Sequence, residues 1–174
     1  SFGGHYSEQE AEEILQVNFW GTFNLLEAVK EIYFEAFINI GSSSEYGFKK
    51  KPMKETDILE PTSYYAATKA SATLLCRVFA QGFNKPIVTL RPFSVYGPYE
   101  EPTRFIPTIM KAVITQQPVS LTPGVERRDF VYIDDVVEAY IKLWKHAAKL
   151  HGEVFNIGTG KQYTNDEVVQ TLFN

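Results

Sequence analysis

Residues 37–44 read FINIGSSS, a short and mostly apolar run that ends in a glycine followed by three serines. Such a run before a glycine predicts a buried strand. Residues 63–82 carry a helical pattern, and residues 86–90, PIVTL, predict a second buried strand. A strand, a long helix and another strand in this order are typical of an α/β fold with a largely parallel sheet. The three serines then follow the carboxyl end of a strand, where ligands bind in open sheets of this kind.

The same alternation of strands and helices continues along the rest of the chain. Leu15, Phe19, Phe23 and Leu26 recur at three- and four-residue spacing, which predicts a long helix over residues 8–31. Polar stretches with proline predict loops. The remaining predictions are loops at 48–62 and 91–102, helices over 103–116 and from an N-cap at Asp134 to about 148, strands at 129–132 and 154–157, and a last helix opened by a capping box at 164–167.

Composition excludes several classes of protein. The 174 residues are 44% hydrophobic and 22% charged, which is typical of a globular domain with its own core. A net charge of -4 argues against a nucleic-acid or membrane-surface binder, and no apolar run is long enough to cross a bilayer. The single cysteine, Cys76, lies among apolar residues and is expected to be a small buried side chain. It allows no internal disulfide and fits a reducing cytoplasm.

Both ends of the sequence differ from those expected of a complete protein. Residues 1–4, SFGG, predict a loop with nothing before it. Residues 168–174 stop within a helical pattern without a cap. These features predict a fragment of a longer protein.

A tyrosine, a lysine and a serine suggest acid–base chemistry. Tyr65 and Lys69 are four residues apart on a predicted helix, so their side chains share a face. An ammonium group beside a tyrosine favours the phenolate, which lets the tyrosine exchange a proton with a substrate hydroxyl near neutral pH. Ser42, at the end of the preceding strand, is placed to bond the same substrate oxygen. Proton removal there would accompany hydride transfer to a nicotinamide. The spacing alone also fits a surface pair, and its context favours the site.

Several segments, in order along the chain, match one family. They are VNFWGTFNLLEA at 17–28, GSSSEYG at 41–47, YAATK at 65–69, LRPFSVYGP at 90–98, RDFVYIDDV at 128–136 and FNIGTG at 155–160. Together they resemble the extended short-chain dehydrogenase/reductases, also called the NAD-dependent epimerase/dehydratase family. The resemblance covers nearly the whole chain and implies an enzyme that modifies a nucleotide sugar with NAD, with NADP not distinguished.

The resemblance implies roles for individual residues. The implied catalytic residues are Ser42, Tyr65 and Lys69. The implied cofactor-binding residues are Tyr65, Lys69, Pro92 and Asn18, and the implied substrate-binding residues are Ser43, Ser44, Ser94, Arg104 and Arg128. A guanidinium fork suits a diphosphate, although surface charge explains Arg104 equally well. Ser94 departs from the family, which usually has an asparagine there.

The family's glycine-rich pyrophosphate motif is a second departure, since it is absent from the sequence. Gly158-Thr159-Gly160 lacks the third glycine and is interpreted as a turn after a strand. The implied fold is therefore a Rossmann-like, doubly wound parallel sheet whose N-terminal half is missing. Residues 1–98 would form the C-terminal half of the NAD-binding domain. Residues 99–174 would form mainly a small substrate-binding part, with one or two strands returning to the sheet.

The serine cluster also bears on the type of reaction. Dehydratases of the family carry an acid and a base directly after the catalytic hydroxyl, at the positions of Ser43 and Ser44. Glu45 is displaced by one residue, and in an extended backbone it would point to the opposite face. This pattern favours a nucleotide-sugar 4-epimerase. A 4-ketoreductase, a 4,6-dehydratase and, from another class, an inactive fragment with only a binding or structural role remain as alternatives.

The remaining polar groups have simpler interpretations. Asp134 is explained as a helix cap, and Asp134 with Asp135 supplies too few oxygen ligands for a metal site, so no metal is expected. The three histidines are scattered. The apolar residues of helices 8–31 and 63–82 exceed what one sheet face can cover, so we expect a homodimer through these helices, as in the family.

Overall fold

A computed structural model of the chain describes residues 7–120, 124 and 126–173. The chain divides into two units. The first comprises the described residues up to Pro92 together with Glu138–Ile157, and the second comprises the described residues of Phe93–Val137 and Gly158–Asn174. Within the described ranges, no helix is long and apolar enough to cross a membrane.

The described residues form alternating helices and strands. The helices are α1 (Glu8–Leu15), α2 (Gly21–Val29), α3 (Tyr64–Gly82), α4 (Phe105–Thr115), α5 (Ile133–His146) and α6 (Asn165–Phe173). The strands are β1 (Phe37–Ile40), β2 (Ile87–Pro92), β3 (Ser94–Tyr96), β4 (Arg127–Arg128), β5 (Phe130–Tyr132), β6 (Val154–Ile157) and β7 (Tyr163–Thr164). Short single-turn helices lie at Gln16–Trp20, Ser43–Tyr46 and Ala147–Lys149.

The first unit is built on a parallel sheet with the strand order β1-β2-β6. Phe37 of β1 lies opposite Ile87, and Thr89 of β2 lies opposite Val154. The central strand β2 is buried along its first five residues because it has a neighbour on each side. These parallel pairings confirm the predicted α/β fold.

The core of this unit lies between the sheet and two helices. Leu26 of α2, Cys76 and Phe79 of α3, and Ile87 of β2 pack in one buried cluster. Burial raises the pKa of the Cys76 thiol to about 12, so the thiol stays protonated at neutral pH. Cys76 therefore acts as a small apolar side chain, which confirms its prediction.

The first predicted helix is present but interrupted. It begins at a capping box in which Ser7 and Glu10 exchange hydrogen bonds, and it continues to Val29. At Gln16–Trp20 the backbone forms a π-helical turn, where the Gly21 N–H donates to the Gln16 carbonyl five residues earlier. Such turns occur often at functional sites. The apolar spacing predicted the helix but carried no signal for the wider turn.

The second unit contains two small pairings of strands. β3 pairs with β5 in parallel, and β4 pairs with β7 in antiparallel orientation. Residues 91–102 were expected to form a loop, which is wrong at both β3 and the last residues of β2. Prolines flank β3, and the partner that makes it a strand lies more than thirty residues away, so local sequence could not reveal it.

The two predicted helix starts in the C-terminal part have different outcomes. The capping box before α6 is confirmed, since Thr164 and Glu167 exchange backbone-to-side-chain bonds of 2.7 and 3.1 Å. The predicted N-cap at Asp134 is wrong. The chain enters α5 at Ile133, immediately after β5, so Asp134 and Asp135 lie within the first turn. Carboxylates there favour the helix through its dipole.

Candidate active site

The serine cluster forms a tight turn at the carboxyl end of β1. Ser42 has an extended backbone and caps the 3-10 turn Ser43–Tyr46. Its Oγ accepts a 3.2 Å hydrogen bond from the Ser44 N–H and lies 2.6 Å from Ser44 Oγ. The turn ends at Gly47, which has a positive φ of 69°. A Cβ at Gly47 would lie 2.0 Å from the Glu60 carbonyl oxygen, so no other residue fits.

Tyr65 and Lys69 lie in the first two turns of α3, which is capped by Ser63. The Lys69 ammonium lies 5.9 Å from the centre of the Tyr65 ring, so the predicted pairing on one helix face is present. Lys69 Nζ donates a 2.8 Å hydrogen bond to the Ile40 carbonyl, the last residue of β1. This bond fixes the first turns of α3 to the strand end that carries the serines. The Tyr65 side chain remains 39% exposed and is open to a ligand.

The electrostatics of Lys69 reflect two opposing effects. Burial lowers the pKa of its ammonium, because a charged group loses hydration, and the Glu45 carboxylate opposes this shift. An ammonium has three donors, and within the part of the chain that the structure describes one of them is used, for the Ile40 carbonyl. The other two donors could bond hydroxyl groups of a ligand.

Asn18 lies within the π-helical turn and contacts α3. Its Nδ2 donates a 3.2 Å hydrogen bond to Thr68 Oγ1, and Thr68 Oγ1 donates 2.9 Å to the Tyr65 carbonyl. The side chain therefore ties the turn to the helix that carries Tyr65. Asn18 therefore lies next to the candidate site. It supports the helix that carries Tyr65 through a contact that the sequence did not predict.

Glu45 points away from the serine hydroxyls into the protein interior. Its side chain is completely buried, with an exposed fraction of 0%. Its Oε1 accepts hydrogen bonds from the Ser42 N–H at 2.8 Å and from Thr73 Oγ1 at 3.1 Å. The sequence predicted that Glu45 would turn away, but from an extended backbone. The segment is a 3-10 turn, and the attraction of a buried arginine directs the carboxylate inward.

That arginine is Arg91, which the sequence interpretation did not single out. Its exposed fraction is 3%. Its Nε donates to Glu45 Oε2 at 2.8 Å, and its Nη2 lies 2.7 Å from the same oxygen. It also donates 2.8 Å to the Tyr46 hydroxyl, which in turn donates 2.8 Å to Asn156 Oδ1. Burial raises the pKa of Tyr46, so its hydroxyl stays protonated. This network joins the serine turn to β2 and β6.

The other predicted positions of the first unit are Pro92, Ser43 and Ser44. Pro92 is the last residue of β2 and lies opposite Ile157 of β6. Ser44 is buried against Ser42, and Ser43 is partly exposed at the start of the turn. The structure thus brings Ser42, Ser43 and Ser44 together at the end of one strand, and joins Lys69 to that strand.

The remaining substrate-binding candidates lie in the second unit. Ser94 lies on β3, and its N–H donates to the Asp129 carbonyl at 2.9 Å. Arg104 is exposed at the N-cap of α4. Arg128 lies on β4 and pairs with Glu126 at 2.7 Å. This acidic partner was not anticipated, and a phosphate at Arg128 would compete with it.

Gly158-Thr159-Gly160 forms a turn held by a buried carboxylate. Asp129 accepts hydrogen bonds from the Thr159 N–H, the Thr159 hydroxyl and the Gly160 N–H at 2.7–2.8 Å. A Cβ at Gly158 would lie 2.7 Å from Asp129 Oδ2, which explains the glycine. The backbone donors are occupied by Asp129, as expected for a structural turn and not for a pyrophosphate loop.

Comparison with known proteins identifies relatives of this chain. Residues 2–158 match the NAD dependent epimerase/dehydratase family. The chain is 34% identical over 173 residues to YtcB of Bacillus subtilis, an uncharacterized UDP-glucose epimerase, covering 99% of this chain and 53% of that protein. It is 32% identical over 164 residues to human dTDP-D-glucose 4,6-dehydratase, covering 93% of this chain and 46% of the relative.

Solved structures give the same result. The UDP-glucuronic acid 4-epimerase of Bacillus cereus, in complex with UDP-glucuronic acid and NAD, superposes with a TM-score of 0.90 at 32% identity, covering 99% of this chain and 55% of the other. The chain thus spans about half the length of the relatives it matches. The likeness confirms the Rossmann-like fold and the resemblance seen in the sequence motifs. The chain therefore belongs to the NAD dependent epimerase/dehydratase family.

Proposed function

We propose that this chain carries the acid–base part of a nucleotide-sugar 4-epimerase. The observation that carries the proposal is the chemistry around Ser42. Ser42 caps the turn that begins at Ser43, its hydroxyl lies 2.6 Å from that of Ser44, and the nearby carboxylate of Glu45 is held in a buried ion pair. A dehydratase needs an additional acid and base beside the sugar, whereas 4-epimerisation needs one group that exchanges the hydroxyl proton. The serine turn supports the second reaction.

The residues present fit a nicotinamide cofactor at its reactive end. Lys69 retains donors for ligand hydroxyls and Tyr65 is exposed beside it, while Asn18 and Pro92 lie on elements that meet α3 and β1. We therefore propose that Tyr65, Lys69, Pro92 and Asn18 hold this end of NAD. NAD held there would supply a reversible hydride acceptor for the sugar carbon. The chain spans about half the length of these relatives, so we propose these cofactor contacts for the whole protein that contains it.

The protein's own residues would handle the proton. Tyr65 Oη takes the proton of the C4 hydroxyl as that carbon is oxidised and gives a proton back when it is reduced. The Lys69 ammonium stabilises the negative oxygen of Tyr65 before the proton is taken and again after it is returned. The Ser42 hydroxyl bonds the same sugar oxygen and fixes its position. Rotation of the keto sugar between the two steps would present its other face and yield the C4 epimer.

A product assay tests this proposal. The whole protein containing this chain is incubated with NAD and, separately, with UDP-glucuronate, UDP-glucose and dTDP-glucose. We expect one of these to give its C4 epimer without net formation of NADH. Stoichiometric use of reduced cofactor would instead indicate a 4-ketoreductase. Release of a 4-keto-6-deoxy sugar would indicate a dehydratase and would contradict the inference drawn from Glu45.

We further propose that Arg128, with Ser94 and Arg104, binds the nucleotide sugar. The Arg128→Ala variant should bind the nucleotide sugar about ten- to a hundredfold more weakly, because a charge-assisted bond to phosphate contributes about 1.5–3 kcal/mol. Its affinity for NAD should not change. The Glu126→Gln variant is the matched control and should bind the sugar nucleotide at least as tightly, since the competing carboxylate is removed. Equal losses for both ligands in Arg128→Ala would refute the role.

We also propose a homodimer through the helices of the first unit. Apolar side chains stand exposed on them, including Val17 at 71% and Val78 at 64%. Trp20, Leu25 and Leu74 are also exposed. Exposed apolar groups on adjacent helices are typical of an interface. Light scattering of the whole protein should give twice the chain mass, and the Val78→Glu variant should give a monomer. A monomeric wild type at micromolar concentration would contradict the proposal.

A further inference from the structure

The buried ion pair of Glu45 and Arg91 adjoins the candidate site. Glu45 Oε1 accepts from the Ser42 N–H, and Lys69 Nζ donates to the Ile40 carbonyl, two residues before Ser42. Carboxylate and ammonium are thus anchored on the same three-residue segment. Gly41 lies between these anchor points, and a Cβ there would lie 2.5 Å from Glu45 Oε1. The carboxylate is therefore packed directly against the backbone that joins β1 to the serine turn.

The bonding of Glu45 also fixes its own position. Four bonds from three elements hold it: the Ser42 N–H at the strand end, Thr73 on α3, and two nitrogens of Arg91 on β2. A carboxylate held in this way from several directions has one orientation. Since two charges are removed from water to form the pair, its burial costs free energy that two apolar side chains would not. A charge retained in the core beside a candidate site favours a role in that site.

We propose that Glu45, held by Arg91, is a positioning residue of the acid–base site: its carboxylate fixes the Ser42 turn and supplies the buried negative charge that stabilises the Lys69 ammonium. This inference rests on the proposed function for its catalytic meaning. The charged and titratable groups around Glu45 are Arg91 on β2, Lys69 and Cys76 on α3, and Tyr46 in the turn itself. Among them, Lys69 is the group proposed to stabilise the tyrosine anion.

The direction of the charge effect follows from the surroundings of Lys69. Burial lowers the pKa of Lys69 and Glu45 opposes that shift. Removing the carboxylate charge should therefore make Lys69 lose its proton at lower pH. The alkaline limb of the pH–rate profile should move to lower pH as well, because the tyrosine anion loses its stabilising cation. An ion pair that only stabilises the fold would change neither the pH at which Lys69 loses its proton nor the alkaline limb.

Two variants separate the two roles. The Glu45→Gln/Arg91→Met double variant removes both charges but keeps an acceptor for the Ser42 N–H. The Glu45→Asp variant keeps the charge but retracts the carboxylate from Ser42 by one methylene. We expect the double variant to show the shift to lower pH, because the carboxylate faces Ser42 and α3 through Oε1, whereas Arg91 is bonded to Oε2. We expect Glu45→Asp to keep the wild-type pH limits and to lose about a hundredfold in kcat, the effect of misplacing a reacting group by about 1 Å.

Reductive methylation across a pH series, read by mass spectrometry, measures protonation of Lys69 without turnover. Lys85 is the internal control, because it also donates to a main-chain carbonyl, that of Ile32 at 3.0 Å. The labelling curve of Lys69 should move to lower pH in the double variant while that of Lys85 stays in place. If the wild type turns over no nucleotide sugar, the proposed function fails and the labelling still decides the role of Glu45.

Three results would overturn the inference. The first is a folded double variant whose Lys69 labelling curve and alkaline limb coincide with those of the wild type. The second is a Glu45→Asp variant with wild-type kcat. The third is a Lys69 curve that moves equally in Glu45→Asp, since that variant keeps the charge. Should the double variant not fold, the Glu45→Asp variant alone decides, through its loss or retention of kcat.

Discussion

Replacing Tyr65 with phenylalanine is expected to reduce kcat about a hundred- to ten-thousandfold, while the free energy of unfolding stays unchanged. The hydroxyl is the proposed proton carrier, and a positioned acid–base group contributes a rate factor of about that size. The ring is 39% exposed, so loss of the hydroxyl leaves no buried polar group unsatisfied. Steady-state kinetics and urea unfolding of the whole protein measure the two quantities.

The neighbouring Tyr64→Phe variant is the matched control for this experiment. It removes a tyrosine hydroxyl from the preceding residue of α3, whose side chain does not share the helix face of Lys69. We expect its kcat to stay within a few-fold of the wild type. A Tyr65→Phe variant that retained comparable activity would remove Tyr65 from the mechanism and leave the serine turn without a proton carrier.

Replacing Arg91 with methionine is expected to destabilise the protein by about 3–5 kcal/mol, because it leaves the Glu45 carboxylate buried without its cation. Arg91 also donates to the Tyr46 hydroxyl, so one further bond in the network is lost. The midpoint of urea unfolding at neutral pH measures the change. This is the largest effect on stability that we expect from any single substitution in the site.

The Glu45→Gln/Arg91→Met double variant should recover much of the stability lost in Arg91→Met. Both charges are then absent from the core, and the glutamine oxygen still accepts from the Ser42 N–H. The interaction energy follows from the double-mutant cycle. Equal stabilities for Arg91→Met and the wild type would show that the ion pair is solvated in solution and not buried as described.

Local sequence patterns predicted much of this fold. The apolar run before the serines predicted β1, and the spacing of Tyr65 and Lys69 predicted their shared face on α3. Short-range rules also predicted the capping box before α6. In each case the deciding contacts lie within a few residues of one another, so the sequence alone contains the information.

Features that depend on distant residues were not predicted. Glu45 and Arg91 are 46 residues apart, and nothing near either residue indicates the other. Likewise, β4 is a strand only because β7 lies beside it. The bond from Lys69 to Ile40 spans 29 residues and joins α3 to the serine turn. Sequence thus indicated the candidate chemical groups, while the contacts that orient them arise from tertiary packing.

The most direct test of the central claim uses a nucleotide sugar deuterated at C4, in ordinary water, with the whole protein and NAD. The proposed reaction removes and returns the hydrogen of C4 as a hydride, and Tyr65 exchanges only the hydroxyl proton. We predict that the C4 epimer forms and that deuterium remains at C4 in both epimers. Loss of the deuterium to water, or its recovery at C6 of a deoxy sugar, would contradict this account.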